Sequence, residues 1–289
     1  MQATNILFLL TLAGYFLGAT WYLLGIVAAK PMLRRAGSLT TVAGFALHTL
    51  DLALLLTLEG GTALVSGQFY FSLLAWSLLF IFFLVWWRLH LEVLGLLAAP
   101  LALLLFLSSE IVTASRLPLP RLLGGLFFGL HIGALFLAIA LLAMAFGAGA
   151  AYLHLERKIK TKTKVAGFAR TLPSLSACDA VNGWAVAVGF PLYTVGLLSG
   201  FIWAHFTWHR AFSGDPKEIT ALAIWLLFAF LFHQRLFLGW RGRKTARLAI
   251  WIFSLSLVSM LCINFFVPTH HSFARYFHET TDIPAGTQP

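Results

Sequence analysis

The sequence predicts an all-α, polytopic integral membrane protein with eight transmembrane helices and both termini outside. Three observations predict this fold. The chain of 289 residues is 60% hydrophobic and only 10% charged, whereas soluble domains carry roughly 25% charged residues. Apolar runs of about 20 residues, the length that crosses a bilayer, recur along the whole sequence. Lysine and arginine are concentrated in alternate connecting segments, as the positive-inside rule requires.

The first four spans are predicted within the N-terminal 110 residues. The first is a span rather than a cleaved signal peptide, because it lacks a basic leading segment and is long enough to cross the bilayer. The fourth is the shortest, and its ends are the least defined. The sequence EGG at 59–61 separates the second span from the third. The predicted ranges are 5–29, 39–58, 69–87 and 93–107.

Four more spans follow, at 122–150, 184–206, 218–238 and 246–267. RLPLPR at 116–121 and SGDP at 213–216 contain the turn residues expected between helices. The polar, basic run at 154–170 is expected to continue as a helix out of the fifth span and to fix the topology. The whole chain, 1–289, is predicted to be one membrane domain that ends in a flexible outer tail at 274–289.

The distribution of basic residues predicts the orientation. With the N-terminus outside, fifteen of the 20 lysines and arginines fall in inner segments. This bias supports both the orientation and the count of eight spans, and it places residues 203–218 on the outside. The expected location is the bacterial cytoplasmic membrane. The net charge of +10 lies beside the spans, so lipid rather than nucleic acid is the expected contact.

The two cysteines indicate neither a c-type cytochrome nor a thiol relay. Cys178 and Cys262 are far apart, and no CxxC or CxxCH sequence occurs. Both are expected to be small apolar residues.

Histidines and aromatic residues converge on the predicted outer face. His131 lies in the outer half of the fifth span, and His270 and His271 follow the eighth. The stretch WAHFTWHRAFSGDPKE at 203–218 lies on the same face. Two imidazoles beneath aromatic rings fit haem, whose iron takes axial histidines and whose ring stacks on aromatic faces. Zinc would normally need a third ligand, and simple hydrogen bonding between helices is the non-functional alternative.

A second pair, His48 and His233, lies within the second and seventh spans. Ionisable residues inside a membrane are costly and are often functional. The pair is therefore a candidate inner haem site, with hydrogen bonding to neighbouring helices as the alternative.

The C-terminal half resembles the haem-handling cytochrome c assembly proteins, the group that includes CcsA, ResC, HemX and CcmC. The resemblance rests on the tryptophan-rich stretch, on the sequence HQRLFLGWRG at 233–242, and on the closing INFFVPTHHSF. It covers about 122–273, and the eight spans are similar to the CcsA and HemX type. Residues that keep the pattern are Trp203, Ala204, Trp208, Asp215, Pro216, Lys217, Glu218, His233, Arg235, Gly239, Trp240, Gly242, Asn264, His271 and Ser272.

The tryptophan-rich motif departs from the family pattern at three positions. His209 replaces a glycine and adds a third imidazole that could ligate iron, while Phe212 and Gly214 replace tryptophans. The tryptophan-rich motif on the outer face is therefore degenerate, and both retention and loss of outer haem are compatible with the sequence.

The resemblance implies a role in cytochrome c biogenesis with one or two non-covalent haem b sites. The inner iron ligands would be His48 and His233. The outer ligands would be His131 and His271, with His270 and His209 as substitutes. The surrounding outer residues would be Trp203, Trp208, Phe212, Asp215 and Lys217.

The implied partners are a CcsB or ResB-like protein and an apocytochrome c. No independent catalytic activity and no catalytic residue are expected, so the chain would be at most part of a holocytochrome c synthase. Two alternatives are a haem-binding subunit or assembly factor of a larger membrane complex and a HemX-like regulator of haem synthesis. Unbroken helices without inverted repeats argue against a solute transporter.

Overall fold

Eight α-helices make up the fold. A computed structural model describes residues 2–59, 63, 66–111, 126–163, 172–209, 212 and 214–266, and none of these forms a β-strand. The helices are α1 (Gln2–Val27), α2 (Pro31–Glu59), α3 (Gly67–Leu89), α4 (Gly95–Ile111), α5 (Leu126–Lys160), α6 (Leu175–Trp208), α7 (Pro216–Leu236) and α8 (Arg243–Phe266). A short 3₁₀ helix, Glu92–Leu94, precedes α4.

Seven of the eight helices, α1 to α7, are long and apolar enough to cross a membrane. Among the residues described, α8 is not one of these seven, and its first turns contain Arg243, Lys244 and Arg247. The prediction of an all-α, multi-pass membrane protein is confirmed.

The predicted starts of two helices differ from the structure. The second helix begins at Pro31 rather than at 39, and the sixth begins at Leu175 rather than at 184. Ser174 caps α6, since its side chain accepts a hydrogen bond of 3.2 Å from the backbone N–H of Ala177. The fifth helix continues to Lys160, as expected for the basic extension. Residues 164–171, 112–125 and the tail at 274–289 lie outside the described residues.

The helices pack as two groups that meet along α3 and α5. In the first group α1 packs on α2 and α4, and α4 packs on α3. In the second group α5 packs on α6 and α8, and α7 contacts both α6 and α8. Small residues permit the close approach of α5 to its neighbours, since alanines such as Ala138, Ala143 and Ala148 are buried there. The main apolar core runs through both groups and includes Leu79, Phe82, Leu141 and Phe228 in its centre.

Consecutive helices run in opposite directions, which gives the bundle two chemically distinct ends. Asn5, Gln68 and Glu110 line one cavity, which places the start of α1, the start of α3 and the end of α4 together. The starts of α5 and α7 lie at this end too, and we call it the His131 end. Ile26, Arg34 and Pro173 line a cavity at the opposite end, which we call the Arg34 end.

Candidate functional site

Three of the predicted outer residues line one cavity at the His131 end. His131 comes from the first turns of α5, Trp203 from the last turns of α6 and Lys217 from the first turn of α7. The cavity has a volume of about 230 Å³, and Phe201, Ala204 and Glu218 also line it. An imidazole, an indole ring and an ammonium group therefore share one small space.

The His131 imidazole is oriented by the backbone of α6. Its Nδ1 lies 2.7 Å from the carbonyl oxygen of Gly196. A carbonyl oxygen can only accept a hydrogen bond, so Nδ1 carries the proton and donates. Nε2 then keeps its lone pair, and it has no other recorded partner among the described residues. Metal-binding histidines commonly have this arrangement, in which a carbonyl fixes the tautomer of the ligand.

Gly200 gives the His131 ring its place against α6. A Cβ atom at position 200 would lie 2.5 Å from Cε1 and 2.6 Å from Nδ1 of His131. Any larger residue would push the ring away from the Gly196 carbonyl. Gly196 and Gly200 are thus both part of the site, and sequence analysis did not identify either of them.

The aromatic wall is only partly described. Phe212 is half exposed, and its ring meets Phe201 edge to face with 6.4 Å between centroids. Phe201 itself lines the His131 cavity. Phe212 therefore packs behind a lining residue of this cavity. The side chain of Trp208 lies outside the described residues, although its backbone ends α6. His209 follows in a left-handed conformation with φ 55° and is exposed.

The acidic part of the motif begins α7. Asp215 is the N-cap, and its Oδ1 accepts a hydrogen bond of 2.8 Å from the backbone N–H of Lys217. Pro216 occupies the first helical position, where its missing N–H costs nothing. Glu218 reaches back to accept from the backbone N–H of Gly214 at 3.1 Å. Asp215 is 5% exposed, so its first role in this structure is to start the helix that carries Lys217.

Gly214 has a backbone conformation that tryptophan would rarely adopt. Its φ is +76°, a region that glycine enters without steric cost and that bulky residues avoid. A Cβ atom at this position would meet no atom within 4 Å. Glycine adopts this backbone more readily than the tryptophan that the resemblance leads one to expect at this position.

A second cavity continues from the first toward the membrane interior. It has a volume of about 330 Å³ and shares Leu135, Lys217 and Ala221 with the His131 cavity. Its other walls come from α3, α6 and α8, with Tyr70, Tyr193 and Met260 among the lining residues. Lys217 is thus placed where a mostly apolar space meets the polar end of the bundle.

His48 is fully buried, and both of its ring nitrogens are hydrogen-bonded. Nδ1 lies 2.8 Å from the hydroxyl of Tyr15, and Nε2 lies 2.7 Å from the hydroxyl of Ser72. The Phe106 ring packs edge to face against the imidazole at 4.6 Å. One of these hydrogen bonds would have to break before His48 could bind iron.

His233 lies in a different environment, near the end of α7. It is exposed, and its ring stacks on Phe237 with 5.3 Å between centroids. His48 instead contacts Tyr15 of α1, Ser72 of α3 and Phe106 of α4, and no contact between His48 and His233 is observed. The structure thus does not bring the predicted inner pair into contact.

The rest of the HQRLFLGWRG sequence forms a structural clamp. Arg235 donates to both carboxylate oxygens of Asp179 at 2.9 and 3.0 Å and to the Asp179 carbonyl at 2.8 Å. Asp179 Oδ1 also accepts from the N–H of Gly242 at 2.7 Å. Gly242 has φ +67°, and a Cβ there would lie 2.5 Å from the Tyr152 hydroxyl. Asp179 is not predicted from the sequence, where it is only an acidic residue near the start of a predicted span.

His271 and its substitute His270 lie outside the described residues, as do Ser272 and the side chain of Asn264.

Comparison with known proteins identifies the family. The sequence matches the family described as "Cytochrome C assembly protein" over residues 66–271, which is most of the chain. The chain belongs to the cytochrome c assembly protein family. The matched region contains all the predicted outer and inner site residues except His48, which precedes it.

Several curated proteins resemble part of this cytochrome c assembly protein. The cytochrome c biogenesis protein CcsA of Synechococcus sp. (strain JA-2-3B'a(2-13)) is 41% identical over 92 residues, or 32% of this chain and 26% of that protein. CcsA of Synechococcus elongatus is 39% identical over 99 residues, covering 34% and 30%. CcsA of Gloeothece citriformis is 38% identical over 110 residues, covering 37% and 34%. The alignments thus span about a third of these relatives or less.

Proposed function

We propose that this protein handles haem during cytochrome c biogenesis and holds haem b, without covalent attachment, at the His131 end. The observation that carries the proposal is the His131 site: an imidazole with its Nδ1 proton committed to the Gly196 carbonyl, in a cavity shared with Trp203 and Lys217. Membership of the family and the similarity to cytochrome c biogenesis proteins CcsA support the same role.

The residues of the cavity fit haem. The Nε2 lone pair of His131 matches an axial position on iron. Trp203 and Phe201 provide aromatic surface for the macrocycle, and Lys217 provides a cation for a propionate. His271 is the proposed second axial ligand, with His270 and His209 as substitutes, and Trp208 is proposed to extend the wall. Bound haem would supply the iron and the vinyl groups, while this chain would orient and shield them.

The protein is proposed to work in the bacterial cytoplasmic membrane with both termini and the His131 end outside. An apocytochrome c would be the client, and a CcsB or ResB-like protein the partner. No side chain is assigned a catalytic role, because positioning of haem against the client's cysteines is the proposed contribution. A subsidiary proposal keeps His233 as an inner ligand, since it is the exposed member of the predicted inner pair.

A maturation assay tests the proposal. The protein, a CcsB-like partner and an apocytochrome c would be co-expressed in a bacterium that lacks its own assembly genes. We expect covalent haem on the client, at least a tenfold loss in His131→Ala, and normal maturation in His205→Ala. His205 is the matched control because it is exposed at the same end of α6.

A second candidate function is a haem-binding subunit or assembly factor of a larger membrane complex. The positive φ of Gly214 favours it, because tryptophan would rarely adopt this backbone and glycine presents no ring for a macrocycle to stack on. This alternative predicts haem on the purified protein, no maturation in the assay above, and copurification of respiratory subunits.

A further inference from the structure

A small cavity opens at the Arg34 end of the bundle, opposite the proposed haem site. It has a volume of about 180 Å³ and lies where α1 and α3 end and where α2 and α4 begin. Tyr22, Arg34, His90 and Glu92 supply its polar lining, and Ile26 and Pro173 are among its apolar walls. It shares no lining residue with the His131 cavity.

Arg34 lacks a partner within the described part of the chain. Its guanidinium makes no recorded hydrogen bond or ion pair there, and its Nε atom is buried without an acceptor. The side chain as a whole is half-buried, but a buried donor without an acceptor is destabilising, the more so in a charged group. A side chain in this state, lining a cavity, is one that an anionic ligand would stabilise.

The nearby carboxylate does not satisfy this need. Glu92 Oε1 accepts a hydrogen bond of 2.6 Å from the hydroxyl of Ser38. Ser38 is in turn 3.0 Å from the hydroxyl of Tyr22. Glu92 is therefore held by a network between α1 and α2, and it forms no recorded ion pair with Arg34.

The position of Arg34 in its helix also favours an anion. Helix α2 begins at Pro31, so Arg34 lies at the end of the helix that carries the positive partial charge. A cation is disfavoured there, and Arg35 adds another. An anion in the cavity would interact favourably with the guanidinium and with the helix terminus together.

The surroundings of the cavity indicate where the anion comes from. Val27 and Met32, on either side of the turn between α1 and α2, are 84% and 81% exposed. Such apolar side chains at the end of two apolar helices lie against acyl chains in a bilayer. We propose that the Arg34 cavity binds the phosphate of a phospholipid headgroup, with its acyl chains against Val27 and Met32.

Thermal unfolding of the purified, delipidated protein tests this site. The probes are phosphatidylglycerol in mixed micelles, a diacylglycerol of the same chain length, and inorganic phosphate. We expect phosphatidylglycerol to raise Tm by about 3 °C and the other two to raise it by much less. An equal rise with inorganic phosphate would identify free phosphate as the ligand and overturn the lipid assignment.

Two neighbouring variants separate a specific site from general electrostatic attraction. Arg34→Gln should lose the shift, whereas Arg35→Gln should keep it, since Arg35 is exposed and carries the same charge. Arg34→Lys keeps the charge without the guanidinium fork and should lose most of the shift, so it replaces the glutamine variant if that does not fold. Equal loss in the Arg34 and Arg35 variants, or none in either, would overturn the proposal.

Discussion

His131 owes its orientation to two glycines on the neighbouring helix. The Gly196 carbonyl holds Nδ1, and the missing side chain of Gly200 leaves room for the ring. When a metal-binding side chain loses the hydrogen bond that orients it, metal affinity typically falls 10–100-fold. The site should therefore be sensitive to a single methyl group that does not touch iron.

Gly200→Ala should lower haem affinity at least tenfold, because the added Cβ displaces the His131 ring from the Gly196 carbonyl. Haem titration of the purified protein, followed in the Soret band, measures this. Gly133→Ala is the matched control, since a Cβ there meets no atom within 4 Å. Equal affinities in the two variants would show that α6 does not position the histidine.

His48→Ala should destabilise the protein without removing haem. The change leaves the hydroxyls of Tyr15 and Ser72 buried without their partner, which costs roughly 1–3 kcal/mol for each. Thermal unfolding and the ratio of haem to protein would be measured together, with exposed His205→Ala as control. A loss of haem that imidazole restores would instead assign His48 to iron.

Asp179 connects three elements of the helix bundle through hydrogen bonds. Its carboxylate joins the start of α6 to the end of α7 through Arg235 and to the turn before α8 through the N–H of Gly242. The two side chains of this pair are only 10% and 17% exposed. Pairs that are largely withdrawn from water lose much stability when one partner is neutralised.

Asp179→Asn should therefore lower the free energy of unfolding by about 3 kcal/mol, since it leaves the Arg235 charge uncompensated. Lys160→Gln breaks the Lys160–Glu156 pair, in which the lysine is 61% exposed, and should cost under about 1 kcal/mol. Denaturant or thermal unfolding in detergent compares the two. Similar losses in both variants would mean that the Asp179 clamp contributes little.

The apolar runs in the sequence were sufficient to predict the eight helices but not all of their ends. α6 begins nine residues before its predicted start, and Asp179 lies in its first turns, where Arg235 neutralises it. α2 begins eight residues early, with Arg34 and Arg35 inside the helix. The sequence does not show whether a polar residue near the end of a span has a partner on another helix. The sequence therefore does not show whether the helix includes that residue.

The whole molecule separates into two helix groups, and the proposed haem site belongs to the second. His131, Trp203 and Lys217 were predicted to meet because three segments end on one face, and the shared cavity brings them together. Gly196 and Gly200 were not predicted, since a glycine inside an apolar run does not show what packs against it. The same limit applied to His48, whose partners Tyr15 and Ser72 lie on other helices.

The orientation of the molecule is open to a direct test. The charge bias predicts that position 162 faces the cytoplasm and that position 283 lies outside. In a variant with Cys178 and Cys262 replaced by serine, cysteines at 162 and 283 should be labelled from opposite sides of the membrane. Labelling of both from one side would remove the outward-facing site.

The redox-difference spectrum of the purified protein tests the central claim, haem ligation by His131, most directly. We expect a haem b spectrum in the wild type, its loss in His131→Gly, and its recovery when imidazole takes the place of the missing histidine on iron. A wild-type protein that binds no haem on reconstitution, or a His131→Gly variant with an unchanged spectrum, would contradict it.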